Sequence, residues 1–212
     1  MNSASMSWWA SLWIGCSAAV AMTSGLAFAA DSEDTLLVSY QLEAKGDLAG
    51  ALRASHKLAD KNPKQYFARL RAAYLALAAK NFVQAARDYE IAAALAPKAI
   101  EPLLGQQQAL MALGKYGEAE PIGRAAVERD PLNYLANSRL AWTLFSLKKY
   151  AEAARVYSRV LALYPGDIEM AVGLGYAELR SGQKQRAQET FRAVLGMAPK
   201  HVRATQGLAE AR

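Results

Sequence analysis

The sequence predicts an all-α protein built from a row of repeated helix pairs. Alanine supplies 45 of the 212 residues and β-branched residues are few, a composition that favours helices over a sheet. An internal repeat is the stronger evidence, because five prolines recur at one constant interval along the chain. These prolines are Pro63, Pro97, Pro131, Pro165 and Pro199.

The N-terminal segment 1–30 stands apart from the repeats because it contains no charged side chain. Residues 8–30 are apolar and long enough to cross a bilayer, and Ala27 and Ala29 match the pattern that signal peptidase reads. We expect either a cleaved signal peptide or a retained membrane anchor, with a lipoprotein signal at Cys16 as a third alternative. The absence of Lys and Arg before the apolar run departs from the signal-peptide pattern. Each alternative predicts a periplasmic or exported protein that contacts the membrane only through residues 8–30, as an inner-membrane anchor, if that segment is retained.

Each window defined by these prolines predicts two helices of about a dozen residues joined by a short turn. In the fourth window, residues 134–147 and 150–163 both carry apolar side chains at helical spacing. The proline that closes a window ends the second helix, because it has no N–H to donate and restricts the residue before it. The predicted repeat domain, 31–212, therefore divides into windows 32–65, 66–99, 100–133, 134–167 and 168–201, with a capping helix at 202–212.

Three landmarks recur in these windows. An alanine stands twelve residues before each proline, at Ala51, Ala85, Ala119, Ala153 and Ala187. An aromatic residue stands eight before three of them, at Tyr89, Tyr157 and Phe191, and is replaced by Ser55 and Gly123 in the other two. A turn pair such as Gly46-Asp47 or Gly182-Gln183 precedes each alanine. The landmarks and the proline interval together resemble the tetratricopeptide repeat, whose period is about 34 residues.

The resemblance implies a right-handed superhelical solenoid of antiparallel helix pairs, in which the first helix of each repeat lines a concave groove. In that family the ligand-facing side chains occupy the second, fifth, sixth, ninth, twelfth and thirteenth places of the repeat. Four of the five residues at the ninth place are aromatic in this chain. The predicted partner-binding groove is Tyr40, Leu70, Arg71, Tyr74, Gln108, Met111, Arg139, Trp142, Phe145 and Tyr176.

This predicted groove is apolar and aromatic, with two arginines. It lacks the Lys and Asn residues with which related repeat proteins grip the two carboxylates of a chaperone tail. An apolar groove of this kind suits an amphipathic helix or an extended peptide. Two structural alternatives remain open: the same side chains pack between neighbouring helices, or the groove is filled by the protein's own N-terminal segment.

Composition argues against other function classes. One Cys and two His exclude a disulfide framework and a His-rich metal cluster, and no catalytic set is recognisable, so we expect no enzyme, cofactor or metal. The net charge of +6 forms no basic stripe, which argues against nucleic acid, although acidic polysaccharide remains a possible partner. Glu118, Glu152 and Glu178 are expected on solvated helix surfaces.

The sequence thus predicts a non-catalytic scaffold or adaptor of the bacterial cell envelope that binds a partner peptide or helix in its groove. Secretion, pilus and exopolysaccharide-export assemblies are the expected settings. The alternatives are a carbohydrate-handling module of polysaccharide export and a docking regulator of an envelope hydrolase.

Overall fold

The computed structural model describes residues 36–212, so the predictions for the N-terminal segment 1–30 lie outside the described residues. Every regular element in 36–212 is an α-helix, and none of these helices is long and apolar enough to cross a membrane. The helices are α1 (36–44), α2 (Leu48–Lys61), α3 (Tyr66–Ala78), α4 (Phe82–Leu95), α5 (Glu101–Ala112), α6 (Tyr116–Arg129), α7 (Tyr134–Ser146), α8 (Tyr150–Leu163), α9 (Ile168–Arg180), α10 (Lys184–Met197) and α11 (Val202–Glu210).

The chain divides into two compact units, Met1–Pro63 and Lys64–Arg212. In the described part of the first unit, α1 and α2 are joined by a buried hydrogen bond of 2.9 Å between the hydroxyl oxygens of Ser39 and Ser55. Asp47 begins α2 as its N-cap, because its side chain accepts a hydrogen bond of 2.8 Å from the Gly50 N–H.

The second unit is a row of helices in which each packs against the next along the chain. The first helices of successive pairs also contact one another, in the order α3, α5, α7, α9 and α11. One helix pair cannot bury its apolar side chains alone, so stacking of neighbouring pairs supplies the core. These first helices therefore present one continuous face.

The turn inside each pair ends the first helix with a left-handed residue, as the recurring turn pairs predicted. The backbone φ is +71° at Gly114 and +84° at Gly182, and a lysine adopts the same conformation at Lys80 and Lys148. Side-chain caps begin three of the later first helices, at Asn133 for α7, Asp167 for α9 and His201 for α11. The helices α3 and α5 begin without one. Helix ends are thus set by local hydrogen bonding as well as by proline.

Small residues allow the helices to approach closely. The alanine twelve residues before each proline is fully buried. The aromatic ring four residues later lies against glycine: a Cβ at Gly173 would come within 2.6 Å of Cε1 of Tyr157, and one at Gly175 within 2.7 Å of Cε1 of Phe191. Gly175 serves close helix packing, as its place in the repeat predicted.

Glu178 is a correction to the sequence prediction, because it is buried rather than solvated. Its carboxylate accepts a hydrogen bond of 2.7 Å from the Thr190 hydroxyl on α10. Burial raises the pKa of this carboxyl. The prediction was wrong because position 178 faces α10, whereas a charged residue type on a helix indicates a solvent-exposed position.

A pair of Gly→Ala changes tests this packing. Gly175→Ala should lower the free energy of unfolding by about 1–3 kcal/mol, because the new methyl group overlaps the Phe191 ring. Gly196→Ala in α10 meets no atom within 4 Å and should raise it by about 0.5–1 kcal/mol through helix propensity. Urea denaturation followed by circular dichroism measures both, and equal effects of the two changes would contradict the packing described.

Candidate functional site

The predicted groove residues of the second unit lie on four successive first helices that contact one another. Tyr40, the remaining predicted groove residue, is exposed on α1 in the first unit. We call the following set the groove face: Leu70, Arg71 and Tyr74 on α3, Gln108 and Met111 on α5, and Arg139, Trp142 and Phe145 on α7.

The ninth-place side chains of the groove face are the most accessible. Tyr74 is 48% exposed, Trp142 is 42% exposed, and Gln108 between them is also exposed. Leu70, Met111 and the two arginines are half-buried. Large aromatic side chains left in solvent along one face are a typical mark of a protein-binding surface.

Trp142 is held by a short stack of aromatic rings. Its ring lies nearly parallel to that of Phe145, with the centroids 5.9 Å apart, and Phe145 in turn meets Tyr150 edge-on at 5.2 Å. Phe145 is therefore a support for Trp142 more than a contact surface of its own. This packing restricts Trp142, so less side-chain entropy is lost when a partner contacts it.

Arg139 lies on the floor of the groove face between α5 and α7. Its guanidinium donates two hydrogen bonds of 2.8 Å, one to the Leu104 carbonyl and one to the Gln108 side-chain oxygen. Burial lowers the pKa of this guanidinium below its usual value, and burial raises the pKa of the nearby Tyr89 phenol to about 12. Both hydrogen-bond partners of Arg139 are neutral, and no carboxylate of residues 36–212 forms an ion pair with it.

The equivalent arginine of α3 has a different arrangement. The Arg71 guanidinium carbon lies 5.8 Å from the ring centroid of Tyr74, within the range of a cation–π interaction. Arg71 is half-buried and Tyr74 remains open to solvent.

Tyr176, the last predicted groove residue, is engaged by the C-terminal helix. Its ring meets Phe191 edge-on at 5.1 Å, and its hydroxyl donates a hydrogen bond of 2.9 Å to the Arg203 carbonyl. The Arg203 guanidinium also lies 5.8 Å from the Tyr176 ring centroid. Tyr176 is therefore partly covered by α11, whereas Tyr74 and Trp142 are open to solvent.

The arginines follow a rule of side-chain size that the sequence prediction missed. Where the aromatic landmark is present, the sixth place of the next window is glycine: Tyr89 contacts Gly105, Tyr157 contacts Gly173, and Phe191 contacts Gly207. Where Ser55 or Gly123 replaces the aromatic, the sixth place of the next window is arginine, at Arg71 and Arg139. An aromatic ring at the landmark position needs a neighbouring residue without a Cβ. Where the ring is missing, the neighbouring residue has room for a long side chain.

In the third window, Gln107 fills part of the space left by the missing aromatic ring. The eighth place is small elsewhere in the second unit, at Ala73, Ala141 and Gly175, but here it holds a fully buried glutamine. The Gln107 amide lies beside Gly123, where neighbouring repeats place a ring, and neither its nitrogen nor its oxygen has a hydrogen-bond partner. The sequence signal for this exchange was Gly123, which stands where other repeats have the aromatic landmark.

No group of three His, Cys, Asp or Glu side chains in residues 36–212 is placed to hold a metal ion. Buried carboxylates such as Asp88 are paired structurally: Arg69 lies 3.0 Å from it and Gln84 donates to it at 3.1 Å.

Comparison with known proteins agrees with the fold. A family model described as "Tetratricopeptide repeat" matches residues 104–168 and 172–212. The crystal structure of MamA superposes with a TM-score of 0.75 at 18% identity, over 80% of this chain and 92% of that one. YrrB, described as a TPR protein with an unusual peptide-binding site, gives 0.75 at 18% identity, over 85% and 96%. The predicted all-α solenoid is confirmed.

Two sequence relatives match part of this chain. The co-chaperone DNJ1 of Fusarium oxysporum, which contains tetratricopeptide repeats and a J domain, is 30% identical over 131 residues, which is 62% of this chain. The CTR9 homolog of Arabidopsis thaliana is 26% identical over 130 residues, or 61% of this chain. The matched region is 25% and 12% of those two proteins, respectively.

The size rule predicts coupling among three positions. Gly123→Tyr alone should lower the free energy of unfolding by about 1–3 kcal/mol, because the added ring overfills the space beside Gln107. Adding Gln107→Ala and Arg139→Gly recreates the arrangement around Tyr89 and should recover most of that loss. The control is the double variant Gln107→Ala with Arg139→Gly, which should be less stable than the triple variant. A triple variant no more stable than Gly123→Tyr in urea denaturation would contradict the rule.

Proposed function

The chain belongs to the tetratricopeptide repeat family, and we propose that it is a non-catalytic scaffold that binds a partner protein on the groove face. The bound element is a peptide or a helix that lies across α3, α5 and α7. The observation that carries this proposal is the pair of open aromatic side chains, Tyr74 and Trp142, on either side of Gln108.

The residue types of the groove face support this role. Tyr, Trp and Arg are the residues that contribute most to protein–protein binding, because they combine apolar area with directional contacts. Half-buried Leu70 on α3 and Met111 on α5 add apolar area beside the open aromatic side chains. An amphipathic helix presents a complementary stripe.

We further propose that the scaffold works in the bacterial cell envelope, within a secretion, pilus or exopolysaccharide-export assembly. This location is supported by the apolar segment 8–30 and the acidic residues that follow it. That segment is also the proposed point of membrane contact if it is retained.

A carbohydrate-handling role is the second candidate, favoured by one observation. The Trp142 ring is backed by Phe145 and lies one helical turn from Arg139, an arrangement on which a sugar ring stacks and an acidic group binds. Acidic polysaccharide is therefore the alternative ligand of the same face.

Photo-crosslinking in cells tests the proposal without knowledge of the partner. A photoreactive amino acid at Gln108 should give discrete adducts with one or a few proteins, identified by mass spectrometry. The same probe at Arg155, which is exposed on α8, is the matched control and should not give those adducts. A glycosidase-sensitive smear would favour the carbohydrate candidate, and identical adducts from both positions would contradict the groove face as the binding site.

Alanine substitution then tests the aromatic residues with the captured partner. Tyr74→Ala with Trp142→Ala should weaken binding by about a thousandfold, since hot-spot residues of this type contribute about 2 kcal/mol each and about 1.4 kcal/mol corresponds to a tenfold change in affinity. Ile91→Ala with Leu163→Ala is the control, because it removes side chains of similar exposure, 41% and 45%, from α4 and α8. Isothermal calorimetry measures both, and equal affinities of the two double variants would count against the proposal.

A further inference from the structure

Gln108 interrupts a row of aromatic residues. The ninth place holds Tyr74 on α3, Trp142 on α7 and Tyr176 on α9, but on α5 it holds an exposed, neutral glutamine. The side-chain oxygen of Gln108 accepts a hydrogen bond of 2.8 Å from the Arg139 guanidinium. We call Gln108 and Arg139 the polar pair, which lies between two open aromatic side chains.

The polar pair presents hydrogen-bond donors to a ligand. Arg139 has five N–H groups and no acceptor, and two of the five donate within the protein, to the Leu104 carbonyl and to Gln108. The Gln108 oxygen already accepts from Arg139, and no acceptor in residues 36–212 takes a hydrogen bond from its amide nitrogen. Donors grouped around a cation suit a carboxylate, whose two oxygens are acceptors.

The charge of Arg139 also requires an anion when the groove face is covered. In the part of the chain that the structure describes, no carboxylate forms an ion pair with Arg139, which is half-buried. A partner that covers Tyr74 and Trp142 also covers the polar pair between them and displaces its water. Removing a cation from water is unfavourable unless an anion accompanies it. A partner that brings a carboxylate to this position therefore binds better than one that does not.

The neighbours of the polar pair favour a protein as the source of this carboxylate. Leu70 and Met111 add apolar area to the groove face on either side of the open aromatic residues. A polypeptide can place one carboxylate among apolar side chains, whereas an acidic polysaccharide brings hydroxyl groups to every contact. A single polar pair within an apolar surface matches the polypeptide.

We propose that the polar pair is an acid anchor, which binds one Asp or Glu side chain of the partner protein while apolar side chains of the same segment contact Tyr74 and Trp142. The inference rests on the proposed function and adds the charge chemistry of the bound segment. A single anchor is assigned, because the Arg71 guanidinium has a different arrangement, 5.8 Å from the Tyr74 ring centroid.

Selection from a display library supplies a probe for this anchor. Random peptides long enough to reach from α3 to α7 are displayed on phage and selected against the full chain. The enriched peptides should share one Asp or Glu with apolar residues on both sides of it. Enrichment of basic residues, or of apolar peptides without an acid, would overturn the inference.

Charge variants then assign the acid of a selected peptide to the polar pair. Arg139→Gln should weaken binding about tenfold or more, and so should replacing the peptide's acid by its amide, while the two changes together add little further. Arg139→Lys keeps the charge and should retain more of the affinity than Arg139→Gln. Arg155→Gln on α8 is the control and should leave the affinity unchanged. Independent, additive effects of the two changes would contradict the assignment.

Gln108→Glu tests the charge argument in a variant that should stay folded. The new carboxylate keeps the hydrogen bond to Arg139 and supplies the countercharge from within the chain, so urea denaturation should show equal or greater stability. The acidic peptide should bind this variant about tenfold more weakly, and the amide version of the peptide should lose its disadvantage. An undiminished preference for the acidic peptide would overturn the acid anchor.

The outcomes separate this inference from the proposed function. Peptide binding that is insensitive to Tyr74→Ala with Trp142→Ala would show that the groove face is not the docking surface, and both proposals would fail. Peptides that require both aromatic residues but bind equally well with the acid or its amide would leave the docking surface in place and overturn the acid anchor.

Two competition measurements test other sources of the carboxylate. An oligogalacturonate that binds more tightly than the selected peptides, and loses that affinity in Arg139→Gln, would identify an acidic polysaccharide as the ligand and overturn the protein source. Tighter peptide binding after the acidic residues of 31–34 are replaced by their amides would show that the chain's own segment occupies the anchor, and would also overturn it.

Discussion

The structure depends on the close approach of helices at positions where a side chain is nearly absent. Each aromatic landmark of the second unit, Tyr89, Tyr157 or Phe191, lies against glycine in the next repeat, and a fully buried alanine stands four residues before it. Interiors pack densely, so one methyl group at such a glycine has nowhere to go. Stacking of the pairs, and hence the continuous face formed by the first helices, follows from this contact.

The same constraint decides the chemistry of the groove face. Where the ring is missing, at Gly123, the neighbouring positions are filled by Gln107 inside and by Arg139 at the groove. The exchange of volume in the core is therefore accompanied by a half-buried cation, held by Leu104 and Gln108, on the face that we propose binds a partner. Core packing and recognition are linked in this protein through residue size.

Much of the fold was predictable because its signals are local and repeated. Proline spacing, turn pairs and helical periodicity indicated the helix pairs that the structure shows. Contacts between helices were less predictable: the burial of Glu178 against Thr190 and the engagement of Tyr176 by α11 depend on which neighbour each side chain meets. The role of Gln107 depends on Gly123, which lies 16 residues further along the chain on the second helix of the same pair, so neither residue is informative alone. Aromatic side chains along a groove indicate a protein-binding surface, but the identity of the partner depends on the sequence of the other molecule.

The most direct measurement uses Trp142 as a reporter of groove occupancy. The other tryptophans, Trp8, Trp9 and Trp13, lie in the N-terminal segment, and replacing them by phenylalanine leaves Trp142 as the single tryptophan of the full chain. Its indole is 42% exposed, so its emission should respond to burial. When a captured partner binds, the account predicts a shift of emission to shorter wavelength and protection from acrylamide quenching. Unchanged emission and quenching, with binding established by the anisotropy of a labelled partner, would contradict the claim that the groove face is the docking surface.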